Sequence, residues 1–169
     1  YRPGSLDRFG LSPAALAERR PGLIVARLSA WGTAGPLAER RGFDSIVQAA
    51  TGIAMVEGEG TGTPGALPAQ ALDHAAGYLL AAGVTTAVRR RLDAGHSWLV
   101  EVSLARLAVE LLQERRPRHA PTASEGFTPT VATRNGVTSA VAAATYDGGP
   151  SGFSAPAVEW GSSKPEWLS

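Results

Sequence analysis

Residues 69–92, which follow Pro68, form the longest stretch of the chain with helical periodicity, and Leu72, Ala76, Leu79, Leu80, Gly83, Ala87 and Val88 trace one stripe of it. The stretch is crowded with small side chains, among them Ala75, Ala76, Gly77, Ala81, Ala82 and Gly83. Each glycine costs a helix about 1 kcal/mol relative to alanine. Such a helix makes sense where another backbone or a ligand comes close enough to need the space. Arg89, Arg90 and Arg91 fall near its C-terminal end, where the dipole favours cations, so they read as a solvated helix end and not as a nucleic-acid patch.

Shorter elements flank this helix. Ser12 followed by Pro13 marks a helix start, because serine caps free amides and proline is tolerated at the first helical position. That helix runs to about residue 20 and stops at Pro21-Gly22; the apolar run 23–28 then predicts a mostly buried strand. Two glycines and a proline in 29–36 make a loop leaving that strand. Ile46, Val47, Ala50, Ile53 and Ala54 predict one helix over 44–56, with Asp44 capping its start. The glycines of 57–65 superficially resemble a phosphate loop, but the segment follows a helix, lacks the Lys-Ser/Thr ending and carries Glu57 and Glu59, so a connector is expected. A strand over 97–102 and a helix on Leu104, Leu107, Ala108, Leu111 and Leu112 follow.

The order helix, strand, helix, helix, strand, helix argues for an α/β fold with helices packed on a short sheet, spanning 1–114. A basic, proline-bearing linker opens a second region, 115–169. There Asn135-Gly136, flanked by 130–133 and 137–141, signals a small hairpin. The tail from Gly148 is too rich in Gly, Pro and Ser for regular structure, and Trp160 and Trp167 are expected to pin it as apolar anchors.

Composition narrows the function classes. With 169 residues and 44% hydrophobic content the chain can build one domain with a real core. A formal charge of +1, from 16 basic and 15 acidic residues, gives no field for a nucleic-acid partner. The absence of cysteine excludes a disulfide framework, thiolate metal ligands and a cysteine nucleophile, and fits cytoplasmic residence. His74, His96 and His119 show no ligand pairing, so no metal site is expected, and no run has the uninterrupted apolar length of a membrane span. The chain opens on a turn-like Pro-Gly without an initiating Met, as expected of a segment of something longer. Among acidic residues Asp73 stands out, close to the start of the small-residue helix, where dipole and free amides favour an ionised carboxylate. On position alone a structural cap is the commoner role for such an aspartate.

Four segments, in order over about residues 1–110, change that balance. Tyr1-Arg2-Pro3-Gly4-Ser5-Leu6-Asp7-Arg8-Phe9-Gly10-Leu11 resembles a family III CoA-transferase (CaiB/BaiF) segment in which an aromatic, a Pro-Gly and an acid-Arg pair precede Leu-Gly and a helix. Ser29-Ala30-Trp31-Gly32-Thr33-Ala34-Gly35-Pro36 resembles that family's Ser-Gly-Phe-Gly-x-x-Gly-Pro loop. Arg41-Gly42-Phe43-Asp44-Ser45-Ile46-Val47-Gln48-Ala49, with Thr51-Gly52, is similar to its Gly-Tyr-Asp-x-x-x-Gln-Ala segment. Leu72-Asp73-His74-Ala75-Ala76-Gly77 matches the Asp-x-x-x-Gly that opens its catalytic helix, and Val100-Glu101-Val102-Ser103-Leu104 matches the strand after it.

The resemblance implies part of the family III fold, with Asp73 as the nucleophile that moves CoA from an acyl-CoA donor to a small carboxylic acid through an aspartyl-CoA thioester. It implies CoA contacts from Tyr1, Arg8, Phe9 and Arg41, pocket positions at Trp31, Gly32, Phe43 and Asp44, and no cofactor beyond coenzyme A as substrate. For Arg8 and Arg41 an ordinary surface charge is an equally good reading of the residues themselves. Family racemases carry a His where Phe43 stands, which favours transfer over racemisation. The family's upstream part and C-terminal return would lie outside this chain, and 115–169 has no counterpart. A homodimer, or a partner chain supplying the rest of the fold, is therefore expected. A non-catalytic assembly subunit is the alternative, and an acyl-CoA racemase the third reading.

Overall fold

The computed structural model describes residues 3–113, 130–134, 136–142, 146–149, 152 and 158–166. They fall into two compact units, Tyr1–Arg116 and Pro117–Ser169.

In the first unit a single 3-10 turn, Asp7–Phe9, leads to helix α1, Pro13–Arg19, whose start is capped as the sequence predicts: Ser12 Oγ accepts from the Ala15 amide at 3.2 Å. Strand β1, Ile24–Ser29, pairs in parallel with β2, Trp98–Ser103, in a register running from Ile24 opposite Trp98 to Ser29 opposite Ser103. Between the strands come helices α2, Asp44–Thr51, α3, Ile53–Glu57, and α4, Ala71–Ala94; α5, Leu104–Gln113, follows β2 directly. Parallel strands need such a helical crossover, and the alternation seen in the sequence therefore resolves into an α/β unit.

The helix predicted over 44–56 is two helices. Gly52 sits between α2 and α3 with φ 93°, a left-handed conformation that ends the first helix and caps the second. The apolar periodicity runs through the break because both pieces feed the same core. That core is Val47, Ile53, Leu72, Ala76, Leu104 and Ala108, one cluster drawn from all four later helices, with Trp31, Leu67, Val102 and Leu107 packed against it. It lies directly beneath the first turn of α4.

The small residues of α4 are explained at one point of close approach. A Cβ built on Gly83 would lie 2.5 Å from Val100 Cγ1, so the helix can rest on β2 only without a side chain there. The stripe buries Leu72, Ala76 and Ala87, whereas Leu79 and Val88, expected to face inward, are exposed. The two-stranded sheet is too narrow to cover the full length of a 24-residue helix.

The second unit contains the predicted hairpin: β3, Val131–Arg134, pairs antiparallel with β4, Val137–Ala140, and Thr133 and Thr138 share a 2.8 Å hydroxyl contact. Its turn residue Asn135 and Trp167 lie outside the described residues. Trp160, expected to anchor the tail, is fully exposed: it sits on a turn held by Glu159 and Ser162, which points the ring away from any packing partner among the described residues.

Candidate active site

Asp73 is the third residue of α4, exposed, one position after the buried Leu72. The same turn thus plants an apolar anchor in the core and presents a carboxylate outward. Gln70, the residue before α4, makes no capping bond with its side chain. Asp44 supplies the cap from α2 instead. Its Oδ2 accepts the backbone amides of Leu72 at 2.9 Å and Asp73 at 3.0 Å, and its Oδ1 accepts from Gln48 Nε2. Gln48 Oε1 in turn accepts the Leu67 amide at 3.0 Å, so two side chains of α2 pin the segment leading into α4. Asp44 is 1% exposed, and the three donors around it are what a buried carboxylate requires.

The Asp73 carboxylate enters no hydrogen bond or ion pair with the described residues. It opens into a cleft of about 570 Å³ whose lining includes Arg40, Arg41, Phe43, Ser5 and Leu104. Neither guanidinium forms an ion pair with the described residues. Trp31 Nε1 donates to the Arg41 carbonyl oxygen at 3.2 Å, and a Cβ on Gly42 would meet Ala30 Cβ at 2.5 Å, so the arginine segment is pressed onto the loop after β1. The Ala105 amide donates to the Ala30 carbonyl at 2.9 Å, joining that loop to the start of α5. A second cleft, about 390 Å³, shares Ser29 with the first and is lined also by Gly32, Thr33, Leu79, Ser103 and Arg106. Both lie at the carboxyl ends of the parallel strands, where α/β folds place their ligands.

The sequence profile of CoA-transferase family III matches residues 1–149, so the likeness runs on into 115–149, for which no counterpart was expected from the four matching segments alone. The chain belongs to CoA-transferase family III. A probable fatty acyl-CoA transferase of Mycobacterium tuberculosis is 36% identical over 119 residues, covering 70% of this chain and 30% of the relative. A crystal structure of that mycobacterial protein superposes with a TM-score of 0.61 at 38% identity, over 66% of this chain and 31% of the other. The alpha subunit of a succinyl-CoA–L-malate CoA-transferase from Chloroflexus aurantiacus is 33% identical over 70% of this chain and 28% of its own length. The crystal structure of a CaiB/BaiF family protein from Brucella suis aligns with a TM-score of 0.60 at 27% identity, over 67% and 30% of the two chains. The chain spans about three tenths of the length of these relatives.

Within the family III framework the residues singled out from sequence separate into groups. Asp73, Arg41 and Phe43 line one cleft, with Phe43 73% exposed. Arg8 and Phe9 lie outside that lining and stack on each other, the guanidinium carbon 4.7 Å from the ring centroid. Tyr1 is outside the described residues. Gly32 lines the second cleft, and Trp31 packs on the core while holding Arg41. Asp44, expected in the pocket, is turned away from the Asp73 cleft toward the amides of α4; nor does it cap its own helix, where Phe43 is the preceding residue. Arg40 and Ser5 were not singled out. The doubled Arg40-Arg41 immediately before Gly42 is the signal that could have found the first; a lone serine gives none. Among the described residues no cluster of three or more His, Asp or Glu could hold a metal ion, and no helix is long and apolar enough to cross a membrane.

Proposed function

We propose that this chain carries the nucleophile-bearing segment of a CoA-transferase, and that Asp73 takes the CoA from an acyl-CoA donor and passes it to a carboxylic acid. The observation that carries the reading is the Asp73 carboxylate, unpaired with the described residues and lining a cleft shared with Arg40 and Arg41. An Asp73 oxygen attacks the thioester carbonyl, the C–S bond breaks, and a mixed anhydride and CoA thiolate result. The thiolate attacks the aspartyl carbonyl, the anhydride C–O bond breaks, and the donor leaves as a carboxylate with CoA held on Asp73. An acceptor carboxylate attacks that thioester and the two steps run in reverse, returning free Asp73 and the acceptor's acyl-CoA. No electrons or protons are gained or lost over the cycle, so it calls for no cofactor beyond coenzyme A itself.

Arg40 and Arg41 suit the anionic groups of this chemistry, since a guanidinium fork matches carboxylate and phosphate oxygens. The exposed Arg8–Phe9 stack offers a cationic and aromatic surface for the outer part of CoA. Phe43 in the cleft has no proton to exchange, which supports transfer over racemisation. Exposed apolar side chains on the first unit, including Met55, Tyr78, Leu79 and Leu92, support assembly as a homodimer or with a partner chain. The absence of cysteine supports residence in the cytoplasm.

The same exposed residues favour a second reading, a non-catalytic assembly subunit. Incubation with a panel of acyl-CoAs, trapping with hydroxylamine and mass spectrometry separates the two. A hydroxamate at Asp73, absent from Asp73→Asn, is the expected result; an unmodified Asp73 across the panel with no CoA binding leaves the assembly reading.

A further inference from the structure

We propose that Asp44 and Gln48 are positioning residues for Asp73; the inference rests on the reading of Asp73 as nucleophile. An aspartate in the first turn of a helix ordinarily folds back onto the free amides there, which fixes its oxygens and occupies their lone pairs. Here the Leu72 and Asp73 amides are already taken by Asp44 Oδ2, at 2.9 and 3.0 Å, from a different helix. The Asp73 side chain is thereby released from capping and directed into the cleft, while its backbone is fixed by the hydrogen bond that its own amide donates to Asp44. Gln48 completes the device. Its Nε2 fixes the Asp44 carboxylate, and its Oε1 holds the Leu67 amide at 3.0 Å, so the chain entering α4 cannot drift. Two residues that the sequence places four apart, on one face of α2, thus set the position of a reactive group twenty-nine residues beyond Asp44.

Displacing a nucleophile by about 1 Å can cost on the order of 10²-fold in rate. In the full chain, Asp44→Ala is expected to slow hydroxylamine-trapped labelling of Asp73 by about that factor while CoA affinity stays within roughly twofold of wild type. Asp44→Asn alone sets two side-chain amide donors against each other, the introduced one and that of Gln48. The pair Asp44→Asn with Gln48→Glu reverses donor and acceptor and is expected to recover most of the labelling rate. Amide hydrogen exchange at Leu72 and Asp73 should speed up in Asp44→Ala and return toward wild type in the double variant. Labelling of Asp44→Ala at the wild-type rate would overturn the proposal, as would a double variant no better than Asp44→Ala. Parallel loss of CoA affinity and labelling in both variants would also overturn it, leaving a folding role only. If wild-type Asp73 is never labelled, the nucleophile reading fails and the positioning role with it, and protected Leu72 and Asp73 amides would then mark a structural cap alone.

Discussion

The indole N–H of Trp31 donates to the carbonyl oxygen of Arg41 at 3.2 Å, tying the loop after β1 to the segment that faces Asp73. Trp31→Phe keeps the ring against the core and removes that one bond. A neutral hydrogen bond contributes about 1 kcal/mol net, and less where it is solvent-exposed as here. A modest fall in melting temperature of a few degrees is therefore expected. The larger effect falls on the cleft: with its backbone tether gone, Arg41 should bind CoA more weakly in titration calorimetry. Unchanged CoA affinity in a folded Trp31→Phe would show that the tether does not organise the arginines.

Gly83→Ala sets two effects against each other. Alanine improves helix propensity by about 1 kcal/mol, and on an open helix face the substitution would stabilise. At this position the new methyl would sit 2.5 Å from Val100 Cγ1, and valine in a strand has little rotamer freedom to yield. Overpacking costs of about 1–3 kcal/mol are expected to win, lowering the urea midpoint. Val100→Ala in the same chain removes the obstructing methyl, so the double variant should lose less than the sum of the two single losses. Additive losses would place the strain elsewhere.

Sequence and structure agree where local chemistry decides the outcome. Ser12 before Pro13 caps its helix because both residues act within one turn, and both strands form where apolar runs stand; β1, expected to be mostly buried, buries only Ser29, because a two-stranded sheet covers little of it. Agreement stops where the deciding contact is distant. Asp44 has the sequence signature of a cap for α2, yet its Oδ2 is spent on the amides of α4 and its Oδ1 on the Gln48 side chain, which no local pattern records. Gly52 splits one periodic stretch into two helices because periodicity registers the buried face and not the left-handed turn between its halves. Arg40 escaped notice because only the fold brings it into the lining that contains Asp73. The resemblance of its segment is what singles out Asp73, while its freedom from hydrogen bonds with the described residues became visible only with the fold.

The Arg27–Glu101 pair should matter little. Arg27 Nε donates to Glu101 Oε1 at 2.8 Å across the parallel strands, but both side chains are partly exposed, at 28% and 41%. Water and salt screen such pairs, and Arg27 loses rotamer freedom to keep the geometry. Glu101→Gln is expected to change stability by less than about 1 kcal/mol, with the small loss fading in high salt. A larger, salt-insensitive loss would mean that the pair acts as part of the core.

Two cations share the lining of the cleft with Asp73. Arg40 and Arg41 are adjacent in sequence, line the same cleft and form no ion pair with the described residues. Like charges held together repel, and the arrangement becomes favourable when an anion enters between them. Each charge-assisted bond to such an anion contributes about 1.5–3 kcal/mol, so Arg40→Ala or Arg41→Ala should weaken CoA binding by about 10- to 100-fold. Lysine at either position keeps the charge and loses the fork, and is expected to restore only part of that affinity. Raising the ionic strength should weaken wild-type binding more steeply than binding to either alanine variant, because the wild type has more charge to screen. Comparing CoA with its dephosphorylated form then locates the anion: if the 3′-phosphate is what Arg40 and Arg41 hold, dephospho-CoA should bind wild type as weakly as CoA binds the variants. Equal affinity of wild type for both would move the contact to the diphosphate or to the acid substrate, and equal affinity of wild type and both alanine variants for CoA would remove the arginines from CoA binding altogether.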